Sequence, residues 1–252
     1  MGHPAGAAEH PENIKRLQLI VCKVMQREAY YCAARSPNMI DVVLMEQGLH
    51  DEPDRLRSEV QKALQQTHDI QGRPYDASLL GYGLCSNGTA GLRAEIPIVI
   101  PRGHDCITLL LGSKERYREY FDAHPGTYWY SPGWIEAGKQ PSRQRYERLL
   151  EEYRQKYGED NAQYLMEVEQ TWMKEYQRAT YVDWGFVDAS WYKTYTRQCA
   201  EFLHWSYDEL QGDPGLMQRF VDGQWNADEF LVVQPGQSIA EDVTNEGIVR
   251  AE

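Results

Sequence analysis

The 252-residue chain has no apolar run of membrane-spanning length, and Met1–Lys15 contains no apolar stretch of the kind that forms a secretory leader. Both absences predict a cytoplasmic protein. Gly2 is not followed by Ser or Thr at the position that N-myristoylation favours, which removes the simplest lipid anchor. Positive charge is also scarce: 26 Lys and Arg stand against 38 Asp and Glu, a formal net charge of −12. Attachment to phosphate backbones or anionic lipid depends on clustered cations, so neither nucleic acid nor a membrane surface is an expected partner. The chain has no CxxC pair, no GxGxxG and no P-loop lysine, which leaves a zinc ribbon, a dinucleotide site and an ATP site without their local signatures. Internal repeats and low-complexity tracts are missing too.

What remains is a globular composition, 42% hydrophobic and 25% charged, in a chain long enough for one large core. The first half alternates short apolar runs with helical patterns, the signature of βα units and a parallel sheet. Strands are expected at Leu17–Val24, Met39–Glu46, Ala77–Leu84 and Pro97–Pro101. Helices are expected at Gln26–Ala34, at Asp54–Thr67 with a stripe of Leu56, Val60, Ala63 and Leu64, and at Asn87–Arg93. Ser113, three residues ahead of Arg116, reads as the cap of a further helix. Thr127–Trp134 reads as extended, Pro141–Thr180 as two charged helices, Leu210–Val221 as a short helix and Phe230–Val233 as a late strand. The fold class expected is α/β: a doubly wound, mostly parallel sheet over residues 17–236 with a helical insertion at 141–180, an N-terminal tail at 1–16 and a C-terminal tail at 237–252.

Open parallel sheets bind ligands outside the carboxyl ends of their strands, near the point where strand order reverses. Cys22, Cys85 and Cys106 map there. With a strand order of 2-1-3-4 the strands that carry them are neighbours about 5 Å apart, and the thiols converge. Five cysteines, an odd number without an export signal, read as thiols or ligands rather than a disulfide framework. Two or three thiolates with a His or carboxylate suit Zn²⁺, and thiolates alone suit an iron–sulfur cluster. Cys22 in its apolar strand is equally readable as a small buried hydrophobe, and Cys32 and Cys199 as structural thiols on helices.

The run Gly81–Thr89 joins a strand to a following segment through glycines that permit tight turns. Gly83, Asn87, Gly88 and Thr89 are its candidate cofactor-binding residues, with Cys85 expected at a helix N-terminus that would expose the sulfur and lower its pKa. In Arg102–Cys106, alternation along an extended loop would send His104 and Cys106 to one side as a proton-handling and ligand pair, with Asp105 pointing elsewhere. His104 and Glu28 are candidate proton carriers beside Cys85. Tyr128, Trp129, Tyr130 and Trp134 offer a floor for a flat cofactor, or merely core filling.

Three runs, GYGLCSNGTAGL (Gly81–Leu92), IPRGHDCITLLLGS (Ile100–Ser113) and GTYWYSPGW (Gly126–Trp134), resemble the domain-of-unknown-function family number sixteen thirty-eight of bacteria and archaea. The similarity is read from Leu17 to Gly236. The resemblance implies a setting beside corrinoid-dependent methyl transfer, with a corrinoid protein or methyltransferase as partner and a corrinoid contact. Three functions follow. One is a zinc or iron–sulfur enzyme or accessory protein of one-carbon metabolism acting on a small molecule. Another is a cofactor-free transferase or hydrolase with Cys85 as nucleophile and His104 as base. The third is a binding module that docks through Pro141–Thr180.

Overall fold

A computed structural model describes residues 14–243 and 248–252. The N-terminal tail expected at 1–16 lies outside the described residues up to position 13, and Arg16 already opens the first strand. Strands β1 (Arg16–Cys22), β2 (Met39–Met45), β3 (Ala77–Gly81) and β4 (Ile98–Pro101) form one sheet with β8 (Phe230–Val233), in the order β2-β1-β3-β4-β8. The first four are parallel, and β8 runs antiparallel to β4 at the edge. The fold is therefore α/β with a mostly parallel central sheet, and the order 2-1-3-4, the condition for the thiols to converge, is the order found. The buried runs of β1, β3 and β4 are near-continuously apolar, as strands covered on both faces must be.

Helix α1 (Gln26–Ala33) follows β1, and α2 (Pro53–Leu64) buries the stripe Leu56, Val60 and Leu64. Proline at the first helical turn, where no N–H is needed, starts α2 one residue before Asp54. Helix α3 (Ile107–Leu111) follows β4, and α4 (Lys114–Ala123) begins at Ser113, whose hydroxyl accepts from the Arg116 amide at 3.1 Å. A second parallel sheet follows, β5 (Thr127–Tyr130), β6 (Arg178–Asp183) and β7 (Ser206–Gln211). Between these strands lie α5 (Pro132–Ala137), α6 (Arg143–Tyr157), α7 (Glu159–Glu169) and α8 (Ser190–Leu203). The helical insertion is thus the crossover from β5 to β6. The extended reading of Thr127–Trp134 gives way to helix at Pro132, because the Ser131 hydroxyl accepts from the Trp134 amide at 3.2 Å and caps α5.

Helix α9 (Gly215–Val221) returns the chain to the first sheet, where Phe220 stacks on Phe230 with centroids 5.3 Å apart. The segment 237–252 is not a tail. It carries the antiparallel strands β9 (Ile239–Asp242) and β10 (Ile248–Ala251), with Ile239 and Val249 fully buried. The helix expected at Asn87–Arg93 is replaced by turns. Cys85, Ser86 and Asn87 have φ of 46°, 53° and 65°, a left-handed stretch from which a right-handed helix cannot start.

The two sheets are tied where the turn after β1 meets α5. A Cβ on Gly133 would collide with the carbonyl oxygen of Val24, so only glycine permits that approach. Gly133→Ala is expected to destabilise the protein by about 1–3 kcal/mol, the range for overpacked sites. A lowered midpoint in urea unfolding at unchanged slope checks it, and an unaltered midpoint would show that the α5 contact yields without cost.

Candidate functional site

The carboxyl ends of β1, β3 and β4 open into a cavity of about 540 Å³ that contains all three predicted cysteines in its lining. Cys22 is the last residue of β1, Cys85 begins the left-handed turn after β3, and Cys106 sits just ahead of α3. The β3 and β4 loops are zipped together by backbone bonds, Leu84 N–H to the Gly103 carbonyl at 2.9 Å and Cys85 N–H to the His104 carbonyl at 2.8 Å. Gly83 is pressed against residues 103–105, where any Cβ would strike backbone. Gly88 instead meets the end of the Leu56 side chain of α2.

The turn itself is held from three directions. The Thr89 hydroxyl, fully buried, donates to the Gly83 carbonyl at 3.1 Å. Arg57 of α2 donates to the carbonyls of Ala90 at 2.7 Å and Asn87 at 2.9 Å. The Gly91 amide donates to the Ile239 carbonyl of β9 at 2.7 Å, and Asn87 donates to Glu241 of the same strand at 3.2 Å. Three successive non-glycine residues in a left-handed conformation cost about 1–2 kcal/mol each, and such strain persists only where the surroundings over-determine it.

Each thiol is buried and electrostatically coupled to the other two. Burial, followed by the neighbouring Asp105 carboxylate, pushes Cys85 up to about 12. The same two causes hold Cys106 well above the ordinary thiol range, and burial raises Cys22. Tyr82 lines the cavity beside Cys22, and its buried hydroxyl has the Cys22 thiol as its polar neighbour. Cys85 is therefore neither exposed nor at a helix N-terminus, the two features expected to lower its pKa.

Asp105 does not point away. It lines the cavity with His104 and Cys106, its oxygens accepting from the Ile107 amide at 2.9 Å and the Tyr117 hydroxyl at 3.0 Å. Alternation fails here because residues 102–105 are a chain of bends running into α3, not an extended strand. His104 is exposed at the rim, whereas Cys106 is buried. Of the other predicted residues, Asn87, Tyr128, Trp129 and Trp134 line the cavity. Gly83, Gly88 and Thr89 shape the loop behind it. Tyr130 is buried in the second core, donating to the Pro141 carbonyl at 2.8 Å. Cys32 and Cys199 are buried in helices outside the cavity lining.

Glu28 is not brought to the thiols. It is buried on α1 with one carboxylate oxygen unpartnered, and burial raises its pKa from 4.5 to about 7. Sequence reasoning missed His50, Tyr82, Tyr117, Phe121, Tyr176 and Glu241, which reach the cavity from five separate segments. Tyr82 alone lay inside a run already singled out.

Two measurements follow. Ser86→Gly relieves a left-handed residue that needs no side chain there, and is expected to raise stability by about 0.5–1 kcal/mol. Equal or lower stability in urea unfolding would show that the turn is not strained at that position. For Glu28, the folded state binds the proton more tightly than the unfolded chain, so stability falls as pH rises from about 4.5 to about 7 and then levels. Over that window the wild type should lose on the order of 3 kcal/mol more than Glu28→Gln. Parallel pH profiles for the two proteins would rule this out.

Comparison with known proteins gives one family. Residues 44–221 match the family described as Protein of unknown function (DUF1638). That span takes in Cys85, His104, Asp105 and Cys106, starts after Cys22, and is narrower than the Leu17–Gly236 read from the motifs. No curated protein and no solved structure matches the chain. Because the match covers well over half of the sequence, the chain belongs to the DUF1638 family.

Proposed function

We propose that the chain is a metal-dependent enzyme or accessory protein in which Cys22, Cys85 and Cys106 hold an iron–sulfur cluster at the floor of a small-molecule cavity. The observation that carries this reading is the convergence of three buried thiols, from three strand ends, around the buried hydroxyl of Tyr82. Among the described residues, no three His, Cys, Asp or Glu side chains stand close enough to share one metal ion. A tetrahedral zinc ion needs its sulfurs at about 2.3 Å each, whereas in a cluster each thiolate meets its own iron, so the donors stand further apart. With Cys22, Cys85 and Cys106 as its thiolates, such a centre would supply Lewis-acid polarisation of a ligand in the cavity.

Charge supports the same reading. Neither Lys nor Arg is among the cavity-lining residues; Lys139 favours ionisation of Cys22 from outside the lining, while Cys85 and Cys106 face the Asp105 carboxylate. A metal centre supplies compensating positive charge and deprotonates the thiols as it binds. The cofactor-free alternative needs a thiolate at neutral pH, and burial works against one at all three cysteines. The setting we propose is corrinoid-linked one-carbon metabolism, as the resemblance of the three motif runs implies.

Anaerobic purification without a histidine tag, followed by iron, sulfide, zinc and absorption measurements, tests the proposal. Iron and sulfide in equal amounts with broad visible absorption are expected, lost in Cys85→Ser and Cys106→Ser and retained in Cys199→Ser. Colourless protein with stoichiometric zinc would replace the cluster by a single ion. Protein free of iron and zinc after anaerobic purification would overturn the reading in favour of thiol chemistry.

A further inference from the structure

The walls of the cavity are aromatic. Tyr128 and Tyr176 meet with centroids 5.3 Å apart at 74°, and Tyr117 and Trp129 at 6.0 Å and 39°, so the rings present faces and edges at several inclinations rather than one flat stack. Trp134 closes the wall from α5. The carboxylates at this site are Asp105, whose pKa burial raises while His104 and His50 work to lower it, and Glu241. An anion would find ring faces and negative charge with no Lys or Arg to pair with, whereas a cation finds favourable partners in both.

The hydrogen bonds narrow the class of cation. Each Asp105 oxygen accepts one bond, from the Ile107 amide and the Tyr117 hydroxyl, and one Glu241 oxygen accepts from Asn87, so part of the carboxylates' acceptor capacity is already taken. A primary ammonium would need acceptors for three N–H groups. A fully methylated nitrogen needs none, and ring faces within about 6 Å of its centre are how quaternary ammonium groups are recognised. The volume, about 540 Å³, lies within the ~300–1,000 Å³ of small-molecule sites.

From the rings and the charge we infer that this cavity selects a small methylated ammonium ligand, held by Tyr128, Trp129, Trp134 and Tyr176 and by the negative charge of Asp105 and Glu241. The inference rests on the reading of this cavity as the ligand site and is independent of which metal occupies its floor.

Isothermal titration of the full chain, as purified and after metal removal, compares choline and tetramethylammonium with 3,3-dimethylbutan-1-ol, a neutral isostere of choline, and with pivalate, an anion of similar shape. The two ammonium probes are expected to bind at least tenfold more tightly than the neutral alcohol, with no measurable pivalate binding. Trp129→Leu should lose at least tenfold in choline affinity. Should that variant fail to fold, Tyr176→Leu, at a half-buried wall position, and Asp105→Asn should each weaken choline more than the alcohol. Equal binding of choline and its isostere, preference for pivalate, or no binding of any probe would overturn the inference. Selectivity for choline in protein that carries no iron after anaerobic purification would sink the cluster and leave this inference standing, and a cluster without that selectivity would do the reverse.

Discussion

Two backbone hydrogen bonds beyond the end of the sheet, from Leu84 and Cys85 to the carbonyls of Gly103 and His104, fix everything at this site. They continue the β3–β4 pairing past the last ladder residues and bind the two loops into one unit. Gly83 is required because the 103–105 backbone lies where its Cβ would be. Once the loops are joined, Cys85 and Cys106 are neighbours, and the left-handed turn is the route the chain takes out of that constraint. Arg57, Thr89 and the β9 backbone hold the turn from outside, so its strain is distributed over α2, the loop itself and the C-terminal hairpin.

The second sheet supplies the walls without supplying thiols. Its first strand, β5, contributes Thr127, Tyr128 and Trp129, while α4 contributes Tyr117 and Phe121. Their placement depends on the contact between α5 and the turn after β1, where Gly133 lets backbone meet backbone. Floor and walls are therefore coupled through the segment that follows Cys22, and a change at Gly133 would be felt at both.

The strand order and the strand-end cysteines were legible because parallel strands announce themselves as short apolar runs, and the Cys22, Cys85 and Cys106 positions each sit at the end of one. The Asn87–Arg93 helix was misread for a physical reason: glycine after a strand also permits a turn, and nothing local in Cys85-Ser86-Asn87 signals three left-handed residues. Asp105 was misdirected by assuming extended alternation in a loop that bends. The C-terminal hairpin was invisible as a partner of the site, because Glu241 and Asn87 are 154 positions apart and meet only through β9. Glu28 is a carboxylate near Cys22 in sequence, yet the helix that carries it turns it into the core and away from the cavity lining.

Apart from the imidazoles of His50 and His104, the polar lining of this site is thiols, carboxylates, hydroxyls, the Asn87 amide and ring faces. Burial keeps the thiols protonated in the bare protein, so the negative potential of the cavity comes chiefly from its carboxylates and the quadrupoles of its rings. A metal centre bound by the three thiolates would neutralise only part of the charge it creates on the floor. The walls would then face a centre still short of positive charge, and a cationic ligand would be favoured more strongly with the floor occupied than with it bare. The two readings thus reinforce one another through a single field: a metal on the thiols and an ammonium between the rings are successive answers to the same absence of Lys and Arg from the lining.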